Sequence, residues 1–154
     1  CSVVKIDEIT HESIQQYALA RTGNELNNVQ KDMLIKLTKA VADTKKMANY
    51  SPVIRKTLNY ISANYSQNIS LSELADMNHI SEEHLSRSFK KEMGISITTH
   101  IGNIRVNKAA ELLKSTSLSI SDIAMYIGYS DNNYFVKVFK KRYGMTPSAY
   151  RSLK

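Results

Sequence analysis

The chain has 154 residues, room for one ordinary domain or for one domain with an appendage, and its hydrophobic fraction of 42% excludes bulk disorder. Its 21 Lys and Arg residues outnumber its 14 Asp and Glu residues, but unevenly: residues 1–50 carry a balance of +1 and residues 51–154 a balance of +6. A polyanion is therefore the expected partner of the second part only.

Low counts of a few residue types narrow the class of protein further. Trp is absent, and the five Gly and two Pro residues point toward helices rather than a turn-rich β fold. The single cysteine, Cys1, excludes a disulfide framework and a four-cysteine zinc site. No apolar run approaches membrane-spanning length and no signal peptide is visible, so a cytoplasmic protein with no membrane partner is expected. A start at Cys rather than Met suggests a fragment.

The first fifty residues give weak signals of structure. Residues 3–6 are interpreted as the end of a strand, and residues 11–22 as a helix closed by Gly23. From residue 26 to about residue 49, apolar side chains recur at helical spacing and predict a second helix. The members of this apolar stripe are Leu26, Val29, Met33, Leu37, Ala40, Val41 and Met47.

Capping residues divide the stretch after residue 50 into helices. Ser51 followed by Pro52 opens a helix that runs to about residue 65, since proline suits the first helical position. A capping box that starts at Ser70 opens a short helix to about residue 78. Ser81 opens the next helix, which ends at Gly94, because glycine accepts the left-handed conformation that terminates helices.

The same order of signals then returns. A longer helix over residues 97–114 comes first, spanning roughly 27 Å at 1.5 Å per residue. Ser119 opens a short helix, Ser130 opens a longer one, Gly144 closes it, and Pro147 starts a last turn of helix. Seven helices are therefore predicted after residue 50. With the helical appendage before residue 50, the predicted fold class is all-α.

This return is an internal repeat of about 50 residues. An offset of 49 aligns the short helices, and after one inserted residue an offset of 50 aligns the long ones. Each copy has what a helix-turn-helix needs: a small residue in the first helix, a turn residue that tolerates positive φ, and an apolar anchor in the second helix. These units are predicted at about 70–94 and 119–144. Their key residues are Ala75, Asn78-His79 and Leu85, and then Ala124, Gly128 and Phe135.

Two sets of polar residues on the predicted second helices suit duplex DNA. Arg can bridge guanine O6 and N7, Asn can pair with adenine, and Lys can reach guanine or phosphate. The outward set near the helix starts is Glu83, Ser86 and Arg87 in the first copy, and Asn133, Tyr134 and Lys137 in the second. The set at the helix ends, where phosphate contact would hold the register, is Lys90, Lys91, Lys140, Lys141 and Arg142.

Other functional classes find less support. The sequence has no phosphate-binding glycine loop, no HExxH and no useful Cys-His spacing, so neither an enzyme nor a cofactor is predicted. Three histidines, His79, His84 and His100, suit turn and surface roles better than a metal site. The alternative is a helical protein-interaction module without DNA readout. It would not require basic residues at matched positions in both copies.

The sequence RVNKAAELLKSTSLSISDIAMYIGYSDNNYFVKVFKKRYGMTPSAYR, which starts at Arg105, closely resembles the signature of the AraC/XylS family of bacterial transcription regulators. The resemblance extends over about 52–154. It implies two helix-turn-helix subdomains bridged by a long helix, with both recognition helices in successive major-groove segments. The base-reading residues it implies are Glu83, Ser86, Arg87, Asn132, Asn133, Tyr134 and Lys137. The departures are His79 at a small turn position, His100 at an aromatic position and the acidic pair Glu82-Glu83.

The resemblance also implies partners. Double-stranded promoter DNA is expected, and RNA polymerase if the protein activates transcription. Residues 1–50 are expected to be a helical connector at the end of a sensor or dimerisation domain. The apolar stripe of this connector exceeds what a free linker helix exposes, so it is buried either within the same chain or against a second chain. A dimerising or sensor-connecting role is favoured, with a homodimer through residues 11–49 as one form of it, because the near-neutral charge of this segment makes self-association easier.

Overall fold

A computed structural model describes the backbone of residues 2–153 and their side chains, except those of 2–5, 7 and 43–46. The contacts divide the chain into two compact units, Cys1–Ser51 and Pro52–Lys154. The regular secondary structure of the described residues is entirely helical and includes no strand, which confirms the predicted all-α class. Among them, no helix is both long and apolar enough to cross a membrane.

The first unit is a pair of helices, α1 (Ser2–Leu19) and α2 (Gly23–Ala48), packed against each other. The strand predicted at residues 3–6 is wrong, because this stretch lies in α1. Strand propensity spans only about 1 kcal/mol, and a helix that continues over eighteen residues overrides it.

The connection between α1 and α2 reverses the predicted role of Gly23. This glycine begins α2 and does not close α1, which ends earlier, at Leu19. The start of α2 is fixed by a reciprocal cap: the Glu25 N–H donates to Thr22 Oγ1 at 3.2 Å, and the Glu25 carboxylate accepts from the Thr22 N–H at 3.1 Å. The carboxylate also accepts from the Arg21 N–H at 2.7 Å, and these backbone donors lower the Glu25 pKa.

Few side chains are fully buried between α1 and α2. Ile9, Ser13 and Ala40 form the described buried set of this unit. Lys36 adds ion pairs to Glu12 across the two helices at 3.2 Å and to Asp32 at 2.9 Å. Many large apolar side chains of both helices remain exposed, namely Ile14, Leu19, Leu26, Leu34, Ile35 and Val41.

The second unit contains the seven helices predicted after residue 50. They are α3 (Pro52–Asn64), α4 (Leu71–Met77), α5 (Glu82–Met93), α6 (Ile97–Ser115), α7 (Ile120–Tyr126), α8 (Asn132–Tyr143) and α9 (Pro147–Arg151). Local capping explains their bounds: Ser70, Ser81, Ser96, Ser119 and Thr146 each accept a hydrogen bond from the N–H three residues later. At Ser119 the capping box is complete, since the Ser119 N–H also donates to the Asp122 carboxylate, at 3.3 Å.

Helix α6 joins two halves of this unit, which we call the first half (α3–α5) and the second half (α7–α9). Its first turns bring buried Ile97 and Ile101 to α5, and its later turns pack against α7, α8 and α9. The largest fully buried side chains of the first half are Ile54, Ile61, Leu74, Leu85 and Phe89. The core of the second half is built around Val106, Ala109, Leu113, Ile123, Phe135 and Phe139.

Candidate nucleic-acid interface

Each half contains a helix-turn-helix: α4 and α5 in the first half, α7 and α8 in the second. Both turns use one residue in the left-handed region, His79 at φ 56° and Gly128 at φ 92°. In both, the next N–H reaches back to the small residue of the first helix: Ile80 to the Ala75 carbonyl at 3.2 Å, and Tyr129 to the Ala124 carbonyl at 2.9 Å. Histidine therefore substitutes for glycine in a turn of the same geometry.

The start of α8 differs from the prediction. Asp131, not Ser130, is the N-cap: its Oδ1 accepts from the N–H groups of Asn133 at 2.8 Å and Tyr134 at 3.1 Å. Asp131 is used as the N-cap in place of Ser130 because its carboxylate accepts hydrogen bonds from two of the otherwise unpaired N–H groups of the first turn. Asp131 is thus the counterpart of Ser81, and Ser130 is the residue inserted in the second turn.

Counted from these caps, the predicted base-reading residues of α5 lie on one exposed surface near the helix start. Glu83, Ser86 and Arg87 are all exposed. The Glu83 carboxylate and the Arg87 guanidinium form an ion pair at 3.5 Å, with both side chains more than 70% exposed. A pair so exposed is weak, so either group can exchange its partner for a base.

The predicted residues of α8 are also exposed. Asn133 and Lys137 occupy the positions of Glu83 and Arg87, one turn apart. Asn132 is engaged within the unit, since its Nδ2 donates to Ser121 Oγ on α7 at 2.6 Å. Tyr134 packs its ring 6.0 Å from that of Tyr129, and its side chain remains 58% exposed.

The shared register also identifies two positions that the sequence interpretation missed. His84 stands where α8 has Tyr134, and half-buried Val136 stands where α5 has Ser86. The correct N-cap of α8 would have revealed them, because counting from Ser81 on α5 and from Asp131 on α8 aligns the two helices position by position. A valine at such a position can contact a thymine methyl group.

The predicted phosphate-contacting residues lie together at the ends of the same helices. All five are exposed, and they occupy the last turns: Lys90 and Lys91 on α5, and Lys140, Lys141 and Arg142 on α8. Cations there also offset the partial negative charge of a helix C-terminus, so a local reason for their placement accompanies the functional one.

Helices α5 and α8 each pack an aromatic side chain against an aromatic residue of a neighbouring helix. Phe89 of α5 meets the His100 ring edge-on at 5.6 Å, and Phe139 of α8 meets Tyr150 edge-on at 5.4 Å. His100 is thus the counterpart of Tyr150, as an imidazole in an aromatic position, and its burial lowers its pKa. Phe139 additionally stacks on Tyr143 at 4.8 Å.

Among residues whose side chains are described, no group of three or more His, Cys, Asp or Glu residues is arranged to hold a metal ion. The chemically distinctive features of Pro52–Lys154 are therefore the exposed polar and basic surfaces of α5 and α8. Together they define a double helix-turn-helix domain of the kind that binds duplex DNA.

Comparison with known proteins agrees with this class. The family model described as "Helix-turn-helix domain" matches residues 74–152. The C-terminal domain of AraT, a response regulator from Geobacillus stearothermophilus, is 40% identical, with a TM-score of 0.66 over 69% of this chain and 88% of that one. An AraC-type DNA-binding regulator from Chromobacterium violaceum is 27% identical, with a TM-score of 0.62 over 66% of this chain and 90% of that one.

Curated relatives extend the same picture. The transcriptional activator RhaR of Escherichia coli is 31% identical over 148 residues, which are 96% of this chain and 52% of RhaR. The bifunctional transcriptional activator and DNA repair enzyme AdaA of Bacillus subtilis is 38% identical over 94 residues, which are 61% of this chain and 44% of AdaA. The chain thus spans about half the length, or less, of these relatives.

The chain belongs to the AraC/XylS family, and the resemblance stated from the sequence is confirmed. The chain carries the DNA-binding helix-turn-helix domain of a transcriptional regulator of this family, which the family model matches over residues 74–152. The roles of the individual residues on α5 and α8 remain predictions.

Proposed function

We propose that α5 and α8 enter successive major-groove segments on one side of a promoter duplex and read two short blocks of sequence. The observation that carries the proposal is the shared register of the two helices. Each begins at a capped turn, exposes polar side chains in its first two turns and ends in basic residues. Two equivalent recognition helices in one chain suit a ligand that presents the same groove once per helical turn.

Individual side chains take roles that follow from their chemistry. Arg87 and Lys137 are donors for guanine O6 and N7, and Asn133 can pair with adenine. Glu83 is an acceptor, which suits the amino group of cytosine and disfavours a nearby phosphate. Ser86, Asn132 and Tyr134 complete the base-reading set, with Asn132 held by its bond to Ser121.

Basic residues at the helix ends supply the sequence-independent part of binding. If roughly 6–10 phosphates are contacted, affinity falls about 10³–10⁵-fold between 50 and 200 mM salt. Fluorescence anisotropy of a labelled promoter duplex across this range measures the slope. Binding that does not change with salt would contradict the proposal.

A matched pair of variants sharpens this test. Removing Lys140 and Lys141 together should reduce the slope of log K against log salt by about two. Removing Arg21 and Lys39 together deletes the same charge from exposed positions of the first unit. Because both positions lie in the segment proposed to dimerise, sedimentation first establishes that the control keeps the oligomeric state of the wild type. It should then leave the slope unchanged, so an equal loss in both variants would attribute the effect to net charge alone.

For the first unit, the proposal is homodimerisation through residues 11–49. Support comes from its exposed apolar residues, among them Leu34 at 65% and Ile35 at 65% exposure, and from a balance of only +1 over residues 1–50. Sedimentation at tens of micromolar tests it. The chain should sediment as a dimer, and a Leu34→Glu, Ile35→Glu variant as a monomer. A monomeric wild-type chain would contradict the proposal.

The remaining roles follow from action at a promoter. The protein acts in the bacterial cytoplasm, performs no chemical step and uses no cofactor. If it activates transcription, RNA polymerase is its further partner. Transcription in vitro from a promoter that carries the bound site, with and without the protein, distinguishes activation from repression.

A further inference from the structure

One arginine of α6 connects three parts of the second unit. Arg105 donates from Nε to the Tyr65 carbonyl at 2.6 Å and from Nη2 to the Gln67 carbonyl at 2.8 Å, both in the connection between α3 and α4. Its guanidinium also lies 5.4 Å from the ring centroid of Tyr129, in the turn between α7 and α8. Arg105 thus touches the first half, the central helix and the second half.

Next to Arg105, the backbones of the two halves meet without a side chain between them. A Cβ added to Gly128 would lie 2.4 Å from the Ser66 carbonyl oxygen and 3.0 Å from Arg105 Nη2. Such distances mean that the turn of the second helix-turn-helix is seated directly on the α3–α4 connection. Any side chain at residue 128 would collide with the Ser66 backbone.

The position of this contact matters because α6 alone is a weak constraint on the angle between the halves. A single helix resists bending along its axis, but each half could still rock about the few side chains that pack against it. A second point of contact, away from the helix axis, removes that freedom. The planar guanidinium suits this role, since it can bind two carbonyls and stack on a ring at once.

We propose that Arg105 is the positioning residue that sets the spacing and rotation between the two recognition helices, and thereby the spacing between the two blocks of DNA sequence. The inference rests on the proposed binding of duplex DNA by both α5 and α8. Arg105 itself reads no base in this account. It acts through Tyr65, Gln67 and Tyr129, by fixing where α5 lies relative to α8.

Arg151 offers a matched control. It also donates to a loop carbonyl, from Nη2 to Leu118 at 2.5 Å. Neither residue belongs to the first half: Arg151 is the last residue of α9, and Leu118 lies in the connection between α6 and α7. Removing Arg151 deletes one positive charge and one hydrogen bond to a loop carbonyl. Removing Arg105 deletes one positive charge, two such bonds and the contact with the Tyr129 ring, and only Arg105 links the two halves.

The first experiment measures the geometry without DNA. Spin labels are placed at the equivalent exposed positions Asp76→Cys on α4 and Met125→Cys on α7, in a Cys1→Ser background. The distance distribution between the labels should be narrow in the parent chain and in Arg151→Ala, and broad or shifted in Arg105→Ala. An unchanged distribution in Arg105→Ala would overturn the inference while leaving the proposed DNA binding untouched.

The second experiment measures the consequence for DNA. Binding is compared on the duplex that the wild-type chain selects from a random pool and on duplexes with one base pair added or removed between its two blocks. The wild type and Arg151→Ala should lose roughly 10- to 100-fold on the altered spacings. Arg105→Ala should bind the selected duplex more weakly and lose most of that discrimination, with Arg105→Lys intermediate.

Two outcomes would count against the inference in different ways. If Arg105→Ala and Arg105→Lys weaken binding by the same factor at every spacing, Arg105 is merely structural and the inference is wrong. If the wild-type chain selects no duplex with two blocks, the proposed binding by both α5 and α8 is itself wrong and the inference falls with it. Thermal unfolding of each variant verifies that the comparison is between folded proteins.

Discussion

Helices α5 and α8 share one register but differ in charge. Helix α5 carries three acidic and three basic residues, whereas α8 carries four basic residues and no acidic one. Because non-specific affinity for DNA comes from phosphate neutralisation, α8 is expected to supply most of the affinity. We expect the acidic start of α5 to make binding by that helix more dependent on the correct bases. A duplicated fold can therefore divide affinity and selectivity between its copies.

The aromatic packing of α8 is also more extensive than that of α5. Phe139 of α8 contacts the rings of Phe135, Tyr143 and Tyr150, while Phe89 of α5 contacts the ring of His100. Aromatic contacts add about 0.5–1.5 kcal/mol each beyond the burial of apolar area. The second half should therefore be the more stable of the two.

The largest expected effect is on this core. Phe139→Ala should lower the free energy of unfolding by about 3–5 kcal/mol, because it leaves a cavity at the centre of the aromatic cluster. Phe89→Ala should fall at the lower end of the same range. Denaturant titration of both variants, followed by circular dichroism, measures the difference. An equal loss in the two variants, or a larger loss in Phe89→Ala, would contradict the greater stability of the second half.

The turns should respond in opposite directions. Gly128→Ala should lower the free energy of unfolding by about 2–4 kcal/mol, because it combines positive-φ strain with a collision against the Ser66 carbonyl. His79→Gly should raise that free energy by up to about 1 kcal/mol, since glycine adopts positive φ without strain. Melting temperatures of the two variants report the signs. Destabilisation by His79→Gly would mean that its imidazole makes a contact worth more than the strain.

Substitution of a base-reading residue and of a phosphate-contacting residue should have different effects on DNA binding. Arg87→Ala should weaken binding to the selected duplex by about 1–3 kcal/mol and relax the preference at one base step. Lys141→Ala should weaken binding to all sequences alike and reduce the salt dependence. Competition binding with single-base substitutions measures both patterns. The reverse pattern would show that the two roles have been exchanged.

The two N-caps provide a smaller test. Asp131 accepts from two N–H groups, while Ser81 accepts from one, that of His84 at 3.2 Å. Both Asp131→Ala and Ser81→Ala should lower the free energy of unfolding within the range of about 0.5–2 kcal/mol, Asp131→Ala the more. Chemical denaturation at neutral pH compares them. A larger effect at Ser81 would contradict the capping geometry of α8.

The smallest expected effect is a pH dependence that arises from His100 of α6, whose ring contacts Phe89 of the first half. Burial lowers the folded-state pKa of His100, so the unfolded chain binds more protons between that pKa and about 6.5. His100 therefore lowers the free energy of unfolding as pH falls below about 6.5. His100→Tyr, which copies Tyr150, should remove this contribution. Unfolding of both proteins at about pH 7.5 and about pH 5.5 measures it, and equal pH dependence would contradict the assignment.

Local chemistry explains what the sequence alone could predict. A serine cap acts on an N–H three residues away, and a terminal glycine acts within its own turn, so Ser70, Ser81, Gly94 and Gly144 mark helix ends without knowledge of the fold. The repeat then predicts the double helix-turn-helix, because equivalent helix ends recur at fixed offsets. The same reasoning misplaced one cap, since Ser130 and Asp131 are adjacent candidates and only the stronger acceptor is used.

Other features depend on contacts distant in sequence. Gly23 resembles a helix terminator, but the reciprocal bonds of Thr22 and Glu25 make it a helix start. Arg105 lies 40 residues from Tyr65, whose carbonyl it binds, and no spacing rule connects them. The close approach of Gly128 to Ser66 is equally invisible in the sequence, where Gly128 is explained by its turn alone.

Selection of bound duplexes from a random DNA pool shows whether one chain reads two blocks of sequence. We expect enrichment of a site with two blocks whose centres lie about one helical turn, roughly 10 base pairs, apart. Enrichment of a single short block would mean that only one helix reads bases, and no enrichment would contradict sequence-specific binding by this chain.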